Sequence, residues 1–404
     1  MTGDRTRLLW AIVSGGIIMG LALGARHVQG LFLVPMTLDR GWSREAFGFA
    51  LAMQNLVWGL AQPFTGMIAD RFGSVRVVVA GTLLYLAGLV LMSLATTPLG
   101  LTLSAGLLIG VALSCTAFAT IYGAISRIVD AKQRSWALGV AGAVGGLGQF
   151  VMVPLTQGLQ GWLGWASALV VLGLALVLCA PLAIMLRDRS ATARPTGPAQ
   201  SMTQAIREAF AHRGFWLLNA GFLACGFQLA FIASHMPAYL LDKGLGARVA
   251  VGGLALIALG NIVGTYVWGY LGDLYRRKYL LSGLYLARSG AMALFILLPL
   301  TPASVYVFST VMGLLWLGAV PLTNGLVSQV FGVRYIATLF GFVFFGHQVG
   351  SFLGVWLGGY VFDATRSYDL IWYTAIALGV MAAALHWPIN DRQIVRAMPI
   401  AAAA

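Results

Sequence analysis

The sequence predicts an all-α integral membrane protein with twelve transmembrane helices in two pseudo-symmetric six-helix bundles. Of its 404 residues, 59% are hydrophobic and 9% are charged, whereas about 25% of residues in a soluble domain are charged. The apolar residues suffice for about twelve spans of about 20 residues each. Motifs of the first half recur in the second half, and the 51 glycines suit helices that pack closely through small residues.

Each predicted helix is an apolar run that ends at charged or turn residues. The first run is too long for a cleavable signal peptide, so we expect it to remain as a helix of the protein. The predicted helices of the first half span residues 9–36, 45–69, 76–96, 99–126, 135–160 and 162–186. Those of the second half span residues 214–241, 248–271, 279–299, 302–329, 336–361 and 367–388.

A polar stretch separates the two halves. It runs from Arg187 to Arg213 and contains Pro195 and Pro198, a composition typical of linkers. The sequence therefore predicts an N-terminal bundle at 1–186, a cytoplasmic linker at 187–213 and a C-terminal bundle at 214–404.

The net charge of +13 has an uneven distribution along the chain. With the N-terminus inside, the cytoplasmic loops and tails hold 18 of the 25 Lys and Arg residues, the outer loops hold five, and two lie within helices. This bias predicts a multi-pass protein of the cytoplasmic (inner) membrane with both termini in the cytoplasm. The surplus charge then reflects topology, so we expect no nucleic-acid partner.

The three cysteines, Cys115, Cys179 and Cys225, lie inside apolar runs. They are interpreted as small hydrophobic residues, and a disulfide framework is excluded.

The two halves share a loop motif and a polar helix motif. The segment Gly66–Gly73 (GMIADRFG) is matched 203 residues later by Gly269–Asp273 (GYLGD). Further along, Tyr122–Ser126 (YGAIS) aligns with Asn324–Ser328 (NGLVS). Each half is therefore predicted to be one six-helix bundle, related to the other by an internal repeat.

The Gly66–Gly73 segment, followed by Arg76, resembles the signature loop between helices two and three of the major facilitator superfamily, and Gly269–Asp273 resembles its second copy. The resemblance covers nearly the whole chain. It implies a monomeric secondary transporter that works by alternating access. In such proteins the loop aspartates hold one conformation by facing positive helix ends and neighbouring arginines. For conformational gating, the resemblance points to Asp70, Arg71 and Asp273.

Two further segments resemble the monocarboxylate and oxalate–formate antiporter branch, whose substrates are small carboxylates. One is Arg26–Pro35 at the end of the first helix, and the other is Phe344–Gly354 in the eleventh. That branch usually carries an arginine within the eighth helix. Here the matching position is Thr265, with Asn261 one turn earlier, so the specific substrate stays open.

The predicted membrane interior contains two arginines, Arg26 and Arg288, whereas all twelve acidic residues fall in loops, helix ends or tails. A charge at this depth costs at least about 2.5–3.5 kcal/mol, so it is a functional candidate. An unpaired guanidinium suits a small carboxylate. On a helical wheel Arg26 lies about 120° from a close-packing glycine stripe, free to bind substrate, although it could instead anchor backbone carbonyls. His27 lies within that stripe and is predicted to pack.

Arg288 lies on the ninth helix, which in this superfamily stands at the periphery. It either reaches inward to the substrate or satisfies backbone carbonyls. His347, on the eleventh helix with Ser351 one turn on, is predicted to contact the substrate and to carry a coupled proton. The alternative for His347 is an interhelical hydrogen bond.

Uncharged polar side chains complete the predicted substrate-binding set. Tyr122 and Asn324 occupy repeat-equivalent positions on the fourth and tenth helices, where a midplane binding site is expected. Gln54 and Asn261 add hydrogen-bonding groups on the second and eighth helices. The alternative is that these groups only bridge helices.

The sequence shows none of the residue patterns of an enzyme active site, a phosphate-binding loop or a metal site, so we expect no enzyme activity, cofactor or metal. It predicts a secondary active transporter of small organic anions, most simply monocarboxylates, that works as a proton symporter or an anion exchanger. The alternative is a drug or metabolite efflux transporter of the same fold, although residues 139–149 of the fifth helix lack the Gly-Pro signature of such exporters. A third possibility is a sensor that does not transport.

Overall fold

The computed structural model describes residues 2–42, 44–187 and 200–394, and this part of the chain is almost wholly helical. The helices of the first half are α1 (Thr2–His27), α2 (Leu33–Arg40), α3 (Arg44–Phe72), α4 (Ser74–Leu94), α5 (Pro98–Leu101), α6 (Ile109–Thr116), α7 (Phe118–Ile128) and α8 (Arg134–Leu178). They are followed by α9 (Met202–Ala211), α10 (Arg213–Asp242), α11 (Ala247–Leu274), α12 (Arg277–Leu297), α13 (Pro302–Leu315), α14 (Ala319–Phe331), α15 (Ile336–Thr365) and α16 (Asp369–His386).

Ten helical runs among the described residues are long and apolar enough to cross a membrane. One of them, residues 131–186, contains Gly164 at φ 77°, a left-handed conformation that favours glycine. This run therefore holds two helices, the predicted fifth and sixth. The 29-residue α3 adds one more, so the structure is consistent with the twelve predicted crossings.

Glycines allow the helices within each half to approach closely. In the first half α1 packs on α8, and a Cβ added at Gly24 would lie 2.6 Å from Cγ of Met152. In the second half α10 packs on α15, and a Cβ added at Gly350 would lie 2.0 Å from the carbonyl oxygen of Leu223. Such contacts explain why a chain of this kind is rich in glycine.

The two halves meet along two helix pairs, α3 with α15 and α8 with α11. Helices α3 and α11 are the second crossings of their halves. Each lies against the fifth crossing of the other half, which is α15 for α3 and the first part of α8 for α11. This arrangement follows the internal repeat and makes the interface itself pseudo-symmetric.

The fourth and tenth predicted helices are both interrupted. Helix α6 ends at Thr116, and Ala117 takes an extended conformation (φ −105°, ψ −156°) before α7. At the related place in the second half, α13 ends at Leu315 and α14 begins only at Ala319. The predictions of single continuous helices at 99–126 and 302–329 were therefore incomplete. Broken helices are tolerated at membrane depth where protein groups satisfy the freed backbone atoms.

The predicted linker is only partly irregular. Its residues 188–199 lie outside the described residues, but α9 occupies residues 202–211 and begins with a capping box between Ser201 and Gln204. Helix α9 buries Ala205 and places the ring of Phe210 5.1 Å from that of Phe342 on α15. The end of the linker is therefore packed on the C-terminal half.

Candidate functional site

Arg26 lies at the end of α1 and faces α3. Its Nη2 donates a hydrogen bond to Oδ1 of Asn55, and its guanidinium carbon lies 5.3 Å from the ring centroid of Trp58. The Nε atom is buried and has no hydrogen-bond acceptor among the described residues. Arg26 thus contacts neutral groups and keeps donor capacity for an anion.

A polar chain continues from Asn55 into the other half. The Nε2 of Gln348 on α15 donates to the backbone oxygen of Asn55 at 3.3 Å, and Oε1 of Gln348 lies 3.1 Å from Nδ1 of His347. Gln348 is 3% exposed. Arg26 of the first half and His347 of the second half are therefore joined through two neutral amides.

His347 lies between aromatic rings. It stacks on Phe344 at a centroid distance of 5.3 Å and lies 4.7 Å from the ring of Phe222 on α10. The hydroxyl of Ser351 donates to the backbone oxygen of His347 at 3.0 Å. The second ring nitrogen, Nε2, is buried and has no hydrogen-bond partner among the described residues.

Arg288 is fully buried at the break between α13 and α14. Its Nε and Nη2 donate to the backbone oxygen of Leu315 at 3.0 and 2.6 Å, and Nη2 also donates to that of Trp316. Its Nη1 lies 3.2 Å from Sγ of Cys225 on α10. Of the two alternatives that the sequence leaves open, the structure shows the carbonyl contacts.

Gln54 and Asn261 make contacts between helices. Nε2 of Gln54 donates to Oε1 of Gln29 at 3.0 Å and to the backbone oxygen of Ala105 at 2.7 Å. Oδ1 of Asn261 accepts from the backbone nitrogen of Leu317 at 3.1 Å and from the hydroxyl of Thr265 at 3.0 Å. Substrate contact by either amide stays a prediction.

The repeat-equivalent polar groups of α7 and α14 meet at the interface. The hydroxyl of Ser126 donates to Oδ1 of Asn324 at 2.9 Å, and both residues are buried. The hydroxyl of Tyr122 is buried without a partner among the described residues, in a place where a Cβ on Gly142 would lie 2.6 Å from it. In this conformation Asn324 joins the two halves, and both residues are closed off by packing.

An aromatic cluster lies on one side of the polar chain. The ring of Phe344 lies 5.0 Å from that of Trp58 on α3 and 5.8 Å from that of Phe118 on α7. Phe344 precedes His347 on α15, and Trp58 follows Asn55 on α3, so both rings lie towards the same end of the bundle. The cluster separates the polar chain from that end.

That end, here called the lock end, carries the loops after α3 and α11. The carboxylate of Asp70 accepts from the backbone nitrogen of Thr338 at 2.7 Å, from its hydroxyl at 2.7 Å, and from Nη1 of Arg127 at 2.6 Å. Thr338 lies in the first turn of α15. A carboxylate at this position satisfies free N–H groups and interacts favourably with the helix dipole.

Asp273 makes the reciprocal contact. Its carboxylate accepts from the backbone nitrogens of Ser135 and Trp136, in the first turn of α8, at 2.9 and 2.7 Å. Nη2 of Arg277 lies 2.9 Å from the same carboxylate. Each half therefore supplies an aspartate that caps a helix of the other half, and both contacts close the lock end.

The Major Facilitator Superfamily family model matches residues 12–355 and 254–396. The chain belongs to the Major Facilitator Superfamily. This confirms the predicted family and, with the fold, makes the protein a multi-pass membrane transporter.

Related major facilitator proteins include transporters of monocarboxylates. The chain is 26% identical to monocarboxylate transporter 12-B of Danio rerio over 90% of this chain and 83% of that protein. It is 24% identical to the uncharacterized MFS-type transporter YcxA of Bacillus subtilis over 96% and 97%. Among solved structures, the fold is similar to that of the E. coli fucose:proton symporter FucP, with a TM-score of 0.70, 14% identity and coverage of 93% and 98%.

In the first half of this major facilitator fold, Arg71 is exposed and lies over the ring of Phe72, and the arginine that pairs with Asp70 is Arg127. The gating role of Arg71 stays a prediction. His27 was predicted to pack in the glycine stripe but is exposed, and it lies at the last position of α1.

Sequence reasoning missed three residues that contact the predicted basic groups. Asn55 contacts Arg26, Gln348 contacts His347, and Cys225 contacts Arg288. Gln348 stands beside His347 in the quoted Phe344–Gly354 motif, so its position was a usable signal. Asn55 and Cys225 carried no such signal, because only the folded helices bring them next to an arginine.

Proposed function

We propose that this major facilitator protein moves small organic anions, most simply monocarboxylates, by alternating access, as a proton symporter or an anion exchanger. The observation that carries the proposal is Arg26, a positive side chain at the end of α1 whose hydrogen-bond acceptor is the neutral Asn55. A carboxylate is a stronger acceptor for a guanidinium than an amide is. A small anion entering the site would therefore replace Asn55 on Arg26.

Two further observations support an anionic substrate. His347 supplies an imidazole that can take up a proton. Hydrogen bonds through Gln348 and Asn55 connect it to Arg26. Relatives of the chain include proteins named as monocarboxylate transporters. The proposed site also includes five side chains that line it in the course of the transport cycle: Tyr122, Asn324, Gln54, Asn261 and Arg288.

The coupling ion is proposed to be a proton carried by His347. A proton that moves together with a monocarboxylate carries no net charge, so the membrane potential, about 2.3 kcal/mol per charge per 100 mV, does not drive this transport. The pH gradient and the substrate gradient supply the driving force. In the exchange mode, internal anion takes the place of the proton gradient.

Conformational gating is proposed for Asp70 and Asp273, with Arg127 and Arg277 as their partners. With the termini in the cytoplasm of the inner membrane, the lock end is the cytoplasmic end, and its closure leaves the site to open on the outer side. The bundles 1–186 and 214–404 of a single monomer then rock about the site, and breaking the two caps opens the cytoplasmic side.

The first test is uptake by proteoliposomes that contain the purified protein. Labelled lactate, pyruvate, formate, oxalate and a larger aromatic acid are offered under an inward proton gradient and, separately, with internal unlabelled anion and no gradient. Uptake that follows the proton gradient and ignores an imposed potential supports electroneutral symport. Uptake that requires internal anion supports exchange.

Empty liposomes and the variant Arg26→Ala serve as controls. If no anion moves, while a cationic or neutral drug accumulates inside everted vesicles, the anion proposal is wrong and the efflux alternative takes its place. If nothing moves but an anion binds, the protein is a sensor.

A further inference from the structure

Arg288 is a buried positive charge without a carboxylate partner among the described residues. It is fully buried, and every Asp and Glu of the chain lies in a loop, helix end or tail of the predicted topology. A buried ion is strongly destabilising unless a counter-charge or hydrogen-bond acceptors compensate it. The carbonyls of Leu315 and Trp316 provide acceptors for Nε and Nη2, but a carbonyl carries no full negative charge.

The remaining side of the guanidinium faces a thiol. Sγ of Cys225 lies 3.2 Å from Nη1 of Arg288, and Cys225 is 0% exposed. The imidazole of His347 and the phenol of Tyr285 interact electrostatically with this sulfur, although neither the Tyr285 hydroxyl nor Nε2 of His347 makes a hydrogen bond among the described residues. Arg288 donates to this sulfur, and His347 can donate to it once its Nε2 is protonated, an arrangement that suits a thiolate better than a thiol.

The hydrogen bonds around His347 assign its two nitrogens. The amide nitrogen of Gln348 donates to Asn55, so its oxygen, which can only accept, faces Nδ1 of His347. Nδ1 therefore carries a hydrogen, and Nε2 is the nitrogen with a free lone pair. This Nε2 is buried and has no hydrogen-bond partner among the described residues, so it is available to take up a proton.

We propose that Cys225 is a thiolate that serves as the counter-ion of Arg288, and that the co-transported proton binds at Nε2 of His347 beside it. This inference rests on the proposed function, since it names the groups that couple the proton to the anion. Without the proton, the cluster of Arg288, Cys225 and His347 has no net charge. When Nε2 takes up a proton, the cluster gains one positive charge, and the imidazolium donates its new hydrogen to the thiolate.

The extra charge attracts the anion to the site, so proton loading and anion binding favour each other. The groups that face the cluster from the neighbouring helices are Tyr285 on α12 and Gln348 and Ser351 on α15, with His386 of α16 stacked on the far side of Tyr285. Tyrosine is neutral near physiological pH, and Nδ1 of His386 donates to the backbone oxygen of Ala382 at 2.6 Å. The change in charge therefore arises at His347.

The first experiment measures thiolate directly by its ultraviolet absorbance in the purified protein, and it requires no transport. Between roughly pH 5 and pH 8, where tyrosine does not ionise, we expect a thiolate band in the wild type that is lost in Cys225→Ala. The matched controls Cys115→Ala and Cys179→Ala should keep it, since these cysteines lie in apolar surroundings. A wild-type spectrum identical to that of Cys225→Ala overturns the proposal.

The second experiment compares transport by Cys225→Ser, which keeps a hydrogen-bonding group but does not ionise, with Cys225→Asp, which restores a negative charge. We expect proton-driven uptake to fall by about tenfold or more in the serine variant, since the buried arginine loses its counter-charge. The aspartate variant should keep uptake, with a shifted pH profile. A serine variant with the wild-type rate and pH profile contradicts the proposal.

The two proposals fail in different ways. If the wild type moves no anion but shows the thiolate band, the proposed function is wrong and the counter-ion stands. If the wild type moves anions without such a band, the function stands and the role given to Cys225 is wrong.

Discussion

The two halves of the molecule each contain a broken helix, and they satisfy its backbone differently. In the N-terminal half the break lies at Ala117, and the hydrogen-bond acceptor beside the break is the backbone oxygen of Ser114. It receives hydrogen bonds from Nε2 of Gln62 at 2.8 Å and from the hydroxyls of Thr65 and Thr120 at 3.2 and 3.0 Å. Neutral side chains are sufficient there.

In the C-terminal half a charge has the corresponding role. Arg288 binds the carbonyls of Leu315 and Trp316, while Asn261 accepts from the backbone nitrogen of Leu317. The position related to Arg288 by the 203-residue repeat is the uncharged Tyr85. A broken helix in this fold therefore does not require a positive charge, and the arginine of the second half has a reason beyond the scaffold. That reason lies on its other side, where it contacts Cys225 beside His347.

The largest expected effect is the loss of Arg288. Arg288→Met leaves two buried carbonyls with fewer donors, each at a cost of about 1–3 kcal/mol, so we expect the free energy of unfolding to fall by about 3 kcal/mol. The N-terminal counterpart, Thr65→Val, should cost about 1 kcal/mol or less, because Gln62 and Thr120 still bind Ser114. Thermal unfolding in detergent measures both, and equal losses would refute the asymmetry between the halves.

The second prediction separates the two arginines. Arg26→Ala should reduce anion uptake about ten- to a hundredfold, since a hydrogen bond to a charged group contributes about 1.5–3 kcal/mol. Its melting temperature should stay close to that of the wild type, because Arg26 binds a side chain and no broken backbone. Arg26→Lys keeps the charge without the planar fork and should recover part of the uptake. Unchanged uptake by Arg26→Ala would remove this residue from the site.

The third prediction compares the two caps at the lock end. Asp70→Asn and Asp273→Asn keep the size of the side chain but remove its charge from a helix N-terminus, a loss of about 1–2 kcal/mol. Both should shift the population towards opening of the lock end, as measured by distances between spin labels placed on the two halves there. Asp70 binds two backbone nitrogens, one hydroxyl and the partly buried Arg127, whereas Asp273 lacks a hydroxyl contact among the described residues, so the Asp70 variant should shift further. A variant of either aspartate with the wild-type distance distribution argues against a gating role.

The sequence predicted those parts of the molecule that depend on local composition. Apolar runs gave the helices, the loop motif gave the repeat and the family, and the charge census led to Arg26 and Arg288. Both helix breaks escaped prediction, because Ala117 and Leu317 stand in apolar runs without a proline or a charge beside them. Only contacts from other helices, such as those of Gln62 and Arg288, make a break in the helix tolerable there.

The partners of the predicted site residues could not be predicted for a related reason. Asp70 stands next to Arg71 in sequence, yet Arg127 from another helix pairs with it. Along a helix, neighbouring residues point in different directions, so adjacency in sequence does not give contact. Cys225 was interpreted as a small hydrophobic residue from its apolar neighbours, and only the packing of α10 on α15, with Arg288 reaching over from α12, reveals that it faces two basic groups.

The smallest expected effect concerns an ion pair of the C-terminal half that lies outside the membrane helices. Nε of Arg276 lies 3.0 Å from Oδ2 of Asp391, and this hydrogen bond holds the pKa of the Asp391 carboxyl below its ordinary value. Because the pKa is lowered in the folded state, the stabilisation is present above about pH 4, the unfolded value, and is lost as the pH falls through the folded value.

The Arg276 side chain is 55% exposed, whereas the corresponding value for Arg127 beside Asp70 is 11%. Exposed pairs contribute about 0.2–1 kcal/mol, so Asp391→Asn should lower the melting temperature slightly at pH 7, less than Asp70→Asn does. The difference between Asp391→Asn and the wild type should begin to shrink as the pH falls below about 4, vanish below the lowered folded-state pKa of Asp391, and shrink in high salt. A difference that persists at low pH would mean that the tail is held by packing around Asp391 instead of by its charge.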